Sequence, residues 1–223
     1  MQYRHEWKIE IDRMDARLLR NRLRAVASID PHSAEGSYRV RSLYFDTPSD
    51  RALREKLDGV DRRDKFRIRC YNEDLSLIRL EKKSKRGGLC AKSSCALTQQ
   101  QALALSRGSA QLPDEGAPAL LQELLSRMRS ERLRPATIVE YTREPFVYAP
   151  GNVRVTIDRD IRTGLRCTEF LDFDRPTVPV QGDPILLEVK WDEFLPSIIR
   201  DAVQLRGRRA QAYSKYAACR VYG

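Results

Sequence analysis

An α+β chain is predicted, with eight or nine strands and helices before, between and after them. Three observations predict it. Short runs alternate charged and apolar residues with the period of a strand. Between them, apolar residues recur at helical spacing. Glycine, proline and asparagine cluster at the joins. The clearest run is Lys65-Phe66-Arg67-Ile68-Arg69. Lys65, Arg67 and Arg69 share one face of that strand; Phe66, Ile68 and Cys70 share the other. In the next run, Arg79, Glu81 and Lys83 lie opposite Ile78 and Leu80.

The first strand spans residues 3–11, with Arg4, Glu6, Lys8 and Glu10 on its charged face. Asp12 caps a helix that carries Asp15 in its first turn and Met14, Leu18, Leu19, Leu23 and Val26 at helical spacing. A strand from Tyr38 to Phe45 follows. Thr47-Pro48-Ser49-Asp50 predicts a short helix with Pro48 at its first position, ended by Gly59. Residues 65–71 and 76–84 form a hairpin about Asn72-Glu73-Asp74, and Lys85-Arg86-Gly87-Gly88 turns into a strand at 89–94. Thr98 and Gln101 make a capping box. Residues 107–118, with two glycines and two prolines, read as a linker before a helix at 119–129. Strands are predicted at 137–143, 152–158, 167–172 and 185–191. Pro196 opens a helix through Ile199 and Leu205, and residues 213–219 form a last helical turn or two.

The 223 residues carry 41 Lys and Arg against 31 acids, a net charge of +10. An excess of that size favours a polyanionic partner, and the interleaving of the acids argues against a simple basic tail. The five cysteines, Cys70, Cys90, Cys95, Cys167 and Cys219, include no CxxC pair, so reduced thiols and a cytoplasmic setting are expected. With His5 and His32 the only histidines, a histidine-rich metal site is excluded. The N-terminus lacks the apolar run of a signal peptide, and no stretch is long and apolar enough to span a membrane. Neither GxGxxG nor a P-loop lysine motif occurs.

The charged faces collect Glu6 and Lys8, then Lys65, Arg67 and Arg69, then Glu81 and Lys83, then Lys92. Later strands add Arg143, Arg154 with Asp158, and Glu188 with Lys190. In an open sheet this is an ordinary wet side; in a closed one it becomes a lumen. A lumen of cations needs counter-charge, either from the interleaved glutamates or from a bound polyphosphate. The glutamates could also hold Mg²⁺ or Mn²⁺ shared with phosphate oxygens.

Arg4-His5-Glu6-Trp7-Lys8, Ser42-Leu43-Tyr44-Phe45-Asp46, Phe66-Arg67-Ile68-Arg69 and Leu80-Glu81-Lys82-Lys83 resemble the VTC (vacuolar transporter chaperone) domain of the triphosphate tunnel metalloenzyme, or CYTH-like, superfamily. Leu187-Glu188-Val189-Lys190 and Ser214-Lys215-Tyr216 complete the set, and the resemblance runs over residues 3–217 as a single domain. It implies a closed antiparallel β-barrel of about eight strands, helices packed outside and a C-terminal helix. It also implies a polyphosphate polymerase that moves the γ-phosphate of ATP onto a phosphate chain with Mn²⁺ or Mg²⁺. By position, Lys8, Lys65, Arg67, Arg69, Lys83, Lys92, Arg143, Arg154 and Lys215 are the substrate-binding cations, with Arg67, Arg69 and Lys83 at the reaction centre. Glu188 is the implied metal ligand, with Glu6 and Glu81 either assisting or pairing with cations.

There are departures. Ala212 stands where the eukaryotic proteins place a second lysine, with Arg208 or Arg209 as candidate substitutes, and Arg4 replaces the first glutamate of the superfamily's first-strand triad. Without a fused phosphate-sensing domain or membrane segment, any export role needs a separate membrane-protein partner. Rival readings are a triphosphatase, with water as acceptor, and a polyphosphate- or nucleotide-binding module without turnover. Nucleic-acid binding is disfavoured, since Phe66 and Ile68 lie opposite the arginines rather than among them.

Overall fold

The computed structural model describes residues 3–31, 33, 35–111 and 116–221; His32 and part of the predicted linker at 107–118 lie outside that set. The strands are β1 Tyr3–Ile11, β2 Ser28–Ile29, β3 Tyr38–Asp46, β4 Arg63–Tyr71, β5 Asp74–Arg86, β6 Leu89–Leu97, β7 Arg134–Tyr148, β8 Val153–Thr163, β9 Val178–Pro179 and β10 Ile185–Trp191. The helices are α1 Arg13–Val26, α2 Arg51–Leu57, α3 Gln99–Ser106, α4 Ala119–Ser130, α5 Ser197–Val203 and α6 Lys215–Arg220. Every strand pairing is antiparallel.

The order β7-β3-β4-β5-β6-β1-β10-β8 closes on itself because β8 pairs back onto β7. The sheet is therefore a barrel, with β2 and β9 added outside, and the α+β fold is the closed form of the two arrangements the charged faces allowed. Closure turns the charged parity inward. Phe66, Ile68 and Leu80 point out and are buried with Leu121, Leu124 and Leu125 of α4. Ile9, Val155, Ile157, Leu187 and Val189 are buried outside β1, β8 and β10, with Leu19 and Leu23 of α1 and Ile199 of α5.

One seam is not closed by strands. β1 meets β6 only at Tyr3↔Ala91 and Arg4↔Cys90. Beyond it the chain leading to α6 takes over, the Gln211 N–H donating to the Lys8 carbonyl at 2.8 Å. This brings 211–215 into the barrel wall, and α6 then buries Tyr216 with Tyr44, Val139 and Tyr141. Among the described residues no helix is long and apolar enough to cross a membrane.

The predicted caps of α1 and α3 form as capping boxes, Asp12 with Asp15 and Thr98 with Gln101. Two expectations need correction. The α2 helix starts at Arg51, not Pro48. Asp50 adopts φ +55° and caps nothing. The free amides go instead to residues upstream: Arg51 to Thr47 Oγ1, and Ala52 and Leu53 to the Asp46 carboxylate at 2.8 and 3.1 Å. Residues 167–172 are a loop rather than a strand. The carbonyls of Glu169, Phe170 and Asp172 accept from the buried Arg41 guanidinium at 3.1, 2.9 and 2.6 Å, so they are not spent on a sheet ladder. Gly164 permits the departure: a Cβ there would lie 2.9 Å from Ile138 Cβ.

Asp46 ties the barrel to both flanking helices, since Tyr216 Oη also donates to it at 2.6 Å. Asp46→Ala removes one charged acceptor from four donors, the amides of Thr47, Ala52 and Leu53 and the Tyr216 hydroxyl. It should cost roughly 3 kcal/mol in a chemical-denaturation midpoint, and Asp46→Asn clearly less.

Candidate active site

The barrel encloses a cavity of about 700 Å³, within the range of small-ligand sites. Its charged side chains are arranged around four carboxylates. Glu81, 1% exposed, accepts from Arg67 at 2.6 and 2.8 Å, from Lys92 at 3.1 Å, and lies 3.7 Å from Arg69. Arg67 also donates to Tyr44 Oη at 2.8 Å, and Arg69 to Ser42 Oγ and Tyr141 Oη at 3.0 Å each.

Glu6 lies 3.1 Å from Lys83, 3.2 Å from Lys190 and 3.4 Å from Lys8. Glu188 accepts from Lys215 at 2.9 Å, with Arg143 at 3.3 Å, Lys190 at 3.4 Å and Lys8 at 4.0 Å. Asp158 takes a two-pronged pair from Arg143 at 2.7 and 2.6 Å and a contact from Lys215 at 2.7 Å. Arg154 reaches Asp30 and Tyr38 Oη, both at 2.8 Å.

Burial alone would raise the pKa of these acids, but the surrounding cations outweigh it. Glu6, Glu81, Asp158 and Glu188 are all held below the ordinary carboxylate range. Lys215 moves the other way, its ammonium favoured by Asp158 and Glu188 against the cost of burial. Lys65 has no such help: burial, then Arg63, Lys8, Lys56 and Lys83, push its amine down to about 7.

The structure brings all nine predicted cations to this cavity: Lys8, Lys65, Arg67, Arg69, Lys83, Lys92, Arg143, Arg154 and Lys215. Glu6 and Glu188 line it too, and Glu81 lies behind Arg67. Three further groups of residues join the cavity beyond the predicted site residues, Lys190 among them although it shares the charged face with Glu188. Lys190 was legible, being two residues from Glu188 on the same strand face. The tyrosine wall was not. Tyr141 lies under Arg69, Arg143 and Lys215, the ring centroid 4.8 Å from Lys215 Nζ, and the hydroxyls of Tyr44, Tyr141 and Tyr38 accept from Arg67, Arg69 and Arg154. Lys56 arrives from α2, outside the strand pattern, and donates to the Ala212 carbonyl at 2.9 Å. Arg208 does not substitute for a lysine at position 212, since it is held outside by Asp12 and by Asp15 at 2.7 Å.

Among the described residues no three of His, Cys, Asp and Glu converge as a metal cage. Glu6 and Glu188, the two carboxylates that line the cavity, share Lys190 and Lys8 as neighbours. Hard, ionised carboxylate oxygens fit Mg²⁺ or Mn²⁺ only in the manner where one or two protein ligands suffice and substrate phosphates complete the shell.

A family model described as VTC domain matches residues 3–222. A search of curated proteins found no match. Among solved structures, an adenylate cyclase candidate from Bacillus halodurans is similar at TM-score 0.53 and 16% identity, covering 85% of this chain and 80% of its own. An adenylyl cyclase candidate from Hippeastrum, described as revealing a dominant triphosphatase activity, is similar at TM-score 0.51 and 14% identity, covering 89% and 83%. A protein from Pyrococcus horikoshii is similar at TM-score 0.50 and 10% identity, covering 97% and 99%. Identities this low establish a shared fold.

Proposed function

This chain belongs to the VTC domain family, and from that premise we propose that it is a polyphosphate polymerase-type phosphotransferase, binding ATP and a phosphate chain in the tunnel. One observation carries the reading. Seven of the eight barrel strands send a cation into one cavity within the closed sheet: Lys8 (β1), Arg67 (β4), Lys83 (β5), Lys92 (β6), Arg143 (β7), Arg154 (β8) and Lys190 (β10), with Lys215 from α6. A nucleic-acid surface needs an open face with stacked aromatics; an enclosed wall of forked and point cations suits a linear polyphosphate.

Phosphoryl transfer asks for alignment and charge neutralisation. Arg67, Arg69 and Lys83 would hold the γ-phosphate, and Arg143, Lys190 and Lys215 the phosphates that follow. The bond between the γ-phosphorus and its bridging oxygen breaks, ADP leaves with that electron pair, and a terminal oxygen of the acceptor phosphate forms the new bond. That oxygen is already ionised, so no general base is needed. Glu188, with Glu6 beside it, would hold Mn²⁺ or Mg²⁺, which supplies neutralisation of developing charge on the phosphate oxygens. Glu81 is engaged by three cations and holds them in place.

Incubation with ATP and Mn²⁺, followed by gel separation, tests the proposal. A ladder of long chains is expected. Inorganic phosphate alone would make the protein a triphosphatase, and unchanged ATP a binding module. Because the protein-only ligand set is incomplete, metal binding should depend on substrate. Calorimetric titration with Mn²⁺ should give no measurable heat of binding without tripolyphosphate and a clear isotherm with it. Strong binding to the bare chain would refute this.

A further inference from the structure

The tunnel's cations are unevenly supplied with acids. At the end of the β4–β5 pair away from its turn, Arg63 lies across from Lys85 and Lys65 across from Lys83, and Lys56 of α2 joins them in the cavity wall. Lys56 Nζ bonds only the Ala212 carbonyl at 2.9 Å, and Arg63 the Val60 carbonyl. Lys65 Nζ reaches Ser214 Oγ at 3.5 Å and the face of Tyr216 at 5.2 Å. Among the described residues none of these three cations has a carboxylate within ion-pair distance. Asp61, which acts on neighbouring Lys85, is itself taken by the amides of Gly87 and Gly88 at 2.7 and 3.1 Å.

We propose that Lys56, Arg63 and Lys65 form an anion subsite distinct from the carboxylate-paired cations deeper in the tunnel, and that it receives the acceptor: inorganic phosphate or the free end of a phosphate chain. This rests on the reading of the tunnel as a phosphotransferase site. Deeper in, an arriving phosphate competes with Glu6, Glu81, Glu188 and Asp158 for each cation. Here it meets no competitor, so its whole charge is used.

Proton uptake follows. The groups facing Lys65 are Arg63 on its own strand, Lys8 of β1, Lys83 of β5, Lys56 of α2, and Ser214 and Tyr216 at α6, and none is an acid. Burial and these cations leave the amine partly neutral just above neutrality. An anion beside it restores the ammonium, so binding draws in a proton. Apparent affinity should then fall as pH rises above about 7, by up to tenfold per unit. Inorganic phosphate and the ends of a phosphate chain also ionise near neutrality, but that contribution is common to the wild type and to Lys65→Arg, so the difference between the two reads the amine alone.

Calorimetry on the full chain with inorganic phosphate and with tripolyphosphate, just above neutrality in two buffers of different protonation heat, is the test. The wild type should take up protons on binding. Uptake with both probes opens the subsite to free phosphate; uptake with tripolyphosphate alone assigns it to a chain end. Lys65→Arg, charged at every working pH, should keep the affinity, take up fewer protons than the wild type and show a shallower pH slope. Lys65→Met should weaken binding by roughly tenfold or more, as loss of a charged hydrogen bond does. Proton uptake unchanged in Lys65→Arg, or unchanged binding in a folded Lys65→Met, overturns the inference. If Arg67→Ala still abolishes tripolyphosphate binding in that case, the functional reading stands and only the subsite falls. If the wild type binds no tripolyphosphate, both fall.

Discussion

Arg67→Ala should lower the turnover of ATP with Mn²⁺ by about two to three orders of magnitude, the loss typical of removing one preorganised charge stabiliser. The structure adds a reason for the size of the effect. Arg67 links Glu81 to Tyr44, so its removal also leaves Arg69 and Lys92 as the remaining partners of a carboxylate only 1% exposed. Both cations should then settle onto Glu81 and become less available to phosphate. Arg67→Lys keeps a charge but loses the fork that serves Glu81 and Tyr44 together, so it should recover only part of the rate. Initial rates across ATP concentration separate binding from chemistry. Full activity in Arg67→Ala would remove the basis for placing the γ-phosphate here.

Lys215→Met is expected to be the most destabilising single change in the tunnel. Lys215 is buried between Asp158 and Glu188, at 2.7 and 2.9 Å. Truncation leaves both buried carboxylates dependent on Arg143, with Lys190 and Lys8 at the edge of Glu188. Breaking a buried pair from one side costs about 3–5 kcal/mol, to be read from chemical denaturation at neutral pH. The pH dependence has a definite sign. Both carboxylates are held below their ordinary range, so the stability they contribute is present above the unfolded carboxylate pKa and is lost as pH falls from there through their lower folded pKa. The penalty in Lys215→Met should therefore shrink towards acid pH. Adding Asp158→Asn should recover part of the loss at neutral pH. A penalty independent of pH would show that lost packing against Tyr141, not charge, is responsible.

Legibility in the sequence followed the range of each interaction. The parity of β4 and β5 was plain because Lys65, Arg67, Arg69, Glu81 and Lys83 alternate with Phe66, Ile68 and Leu80, and a two-residue period needs only local residues to declare itself. Capping at Asp12 and Thr98 was plain for the same reason. The loop at 167–172 was misread as a strand because its carbonyls are claimed by Arg41, whose guanidinium lies 129 residues away in sequence from Phe170. The start of α2 was misplaced because Asp46, four residues before Asp50, supplies the cap across an intervening turn. Lys56 comes from a helix, where strand parity says nothing.

Local alternation thus determined by itself the eight strands that form the barrel, the charged side of most of them, and that the charged side invites a polyanion. Whether that side faces water or an enclosed space was beyond its reach, because the same alternation serves an open sheet and a closed one. Tertiary structure decided it, through the pairing of β8 back onto β7 and the docking of the segment at Gln211 onto Lys8 of β1. It also decided which cations are committed to Glu6, Glu81, Asp158 and Glu188 and which are left for a ligand. Ion pairing falls off over a few ångströms in space, and distance in space is fixed only once the barrel is closed.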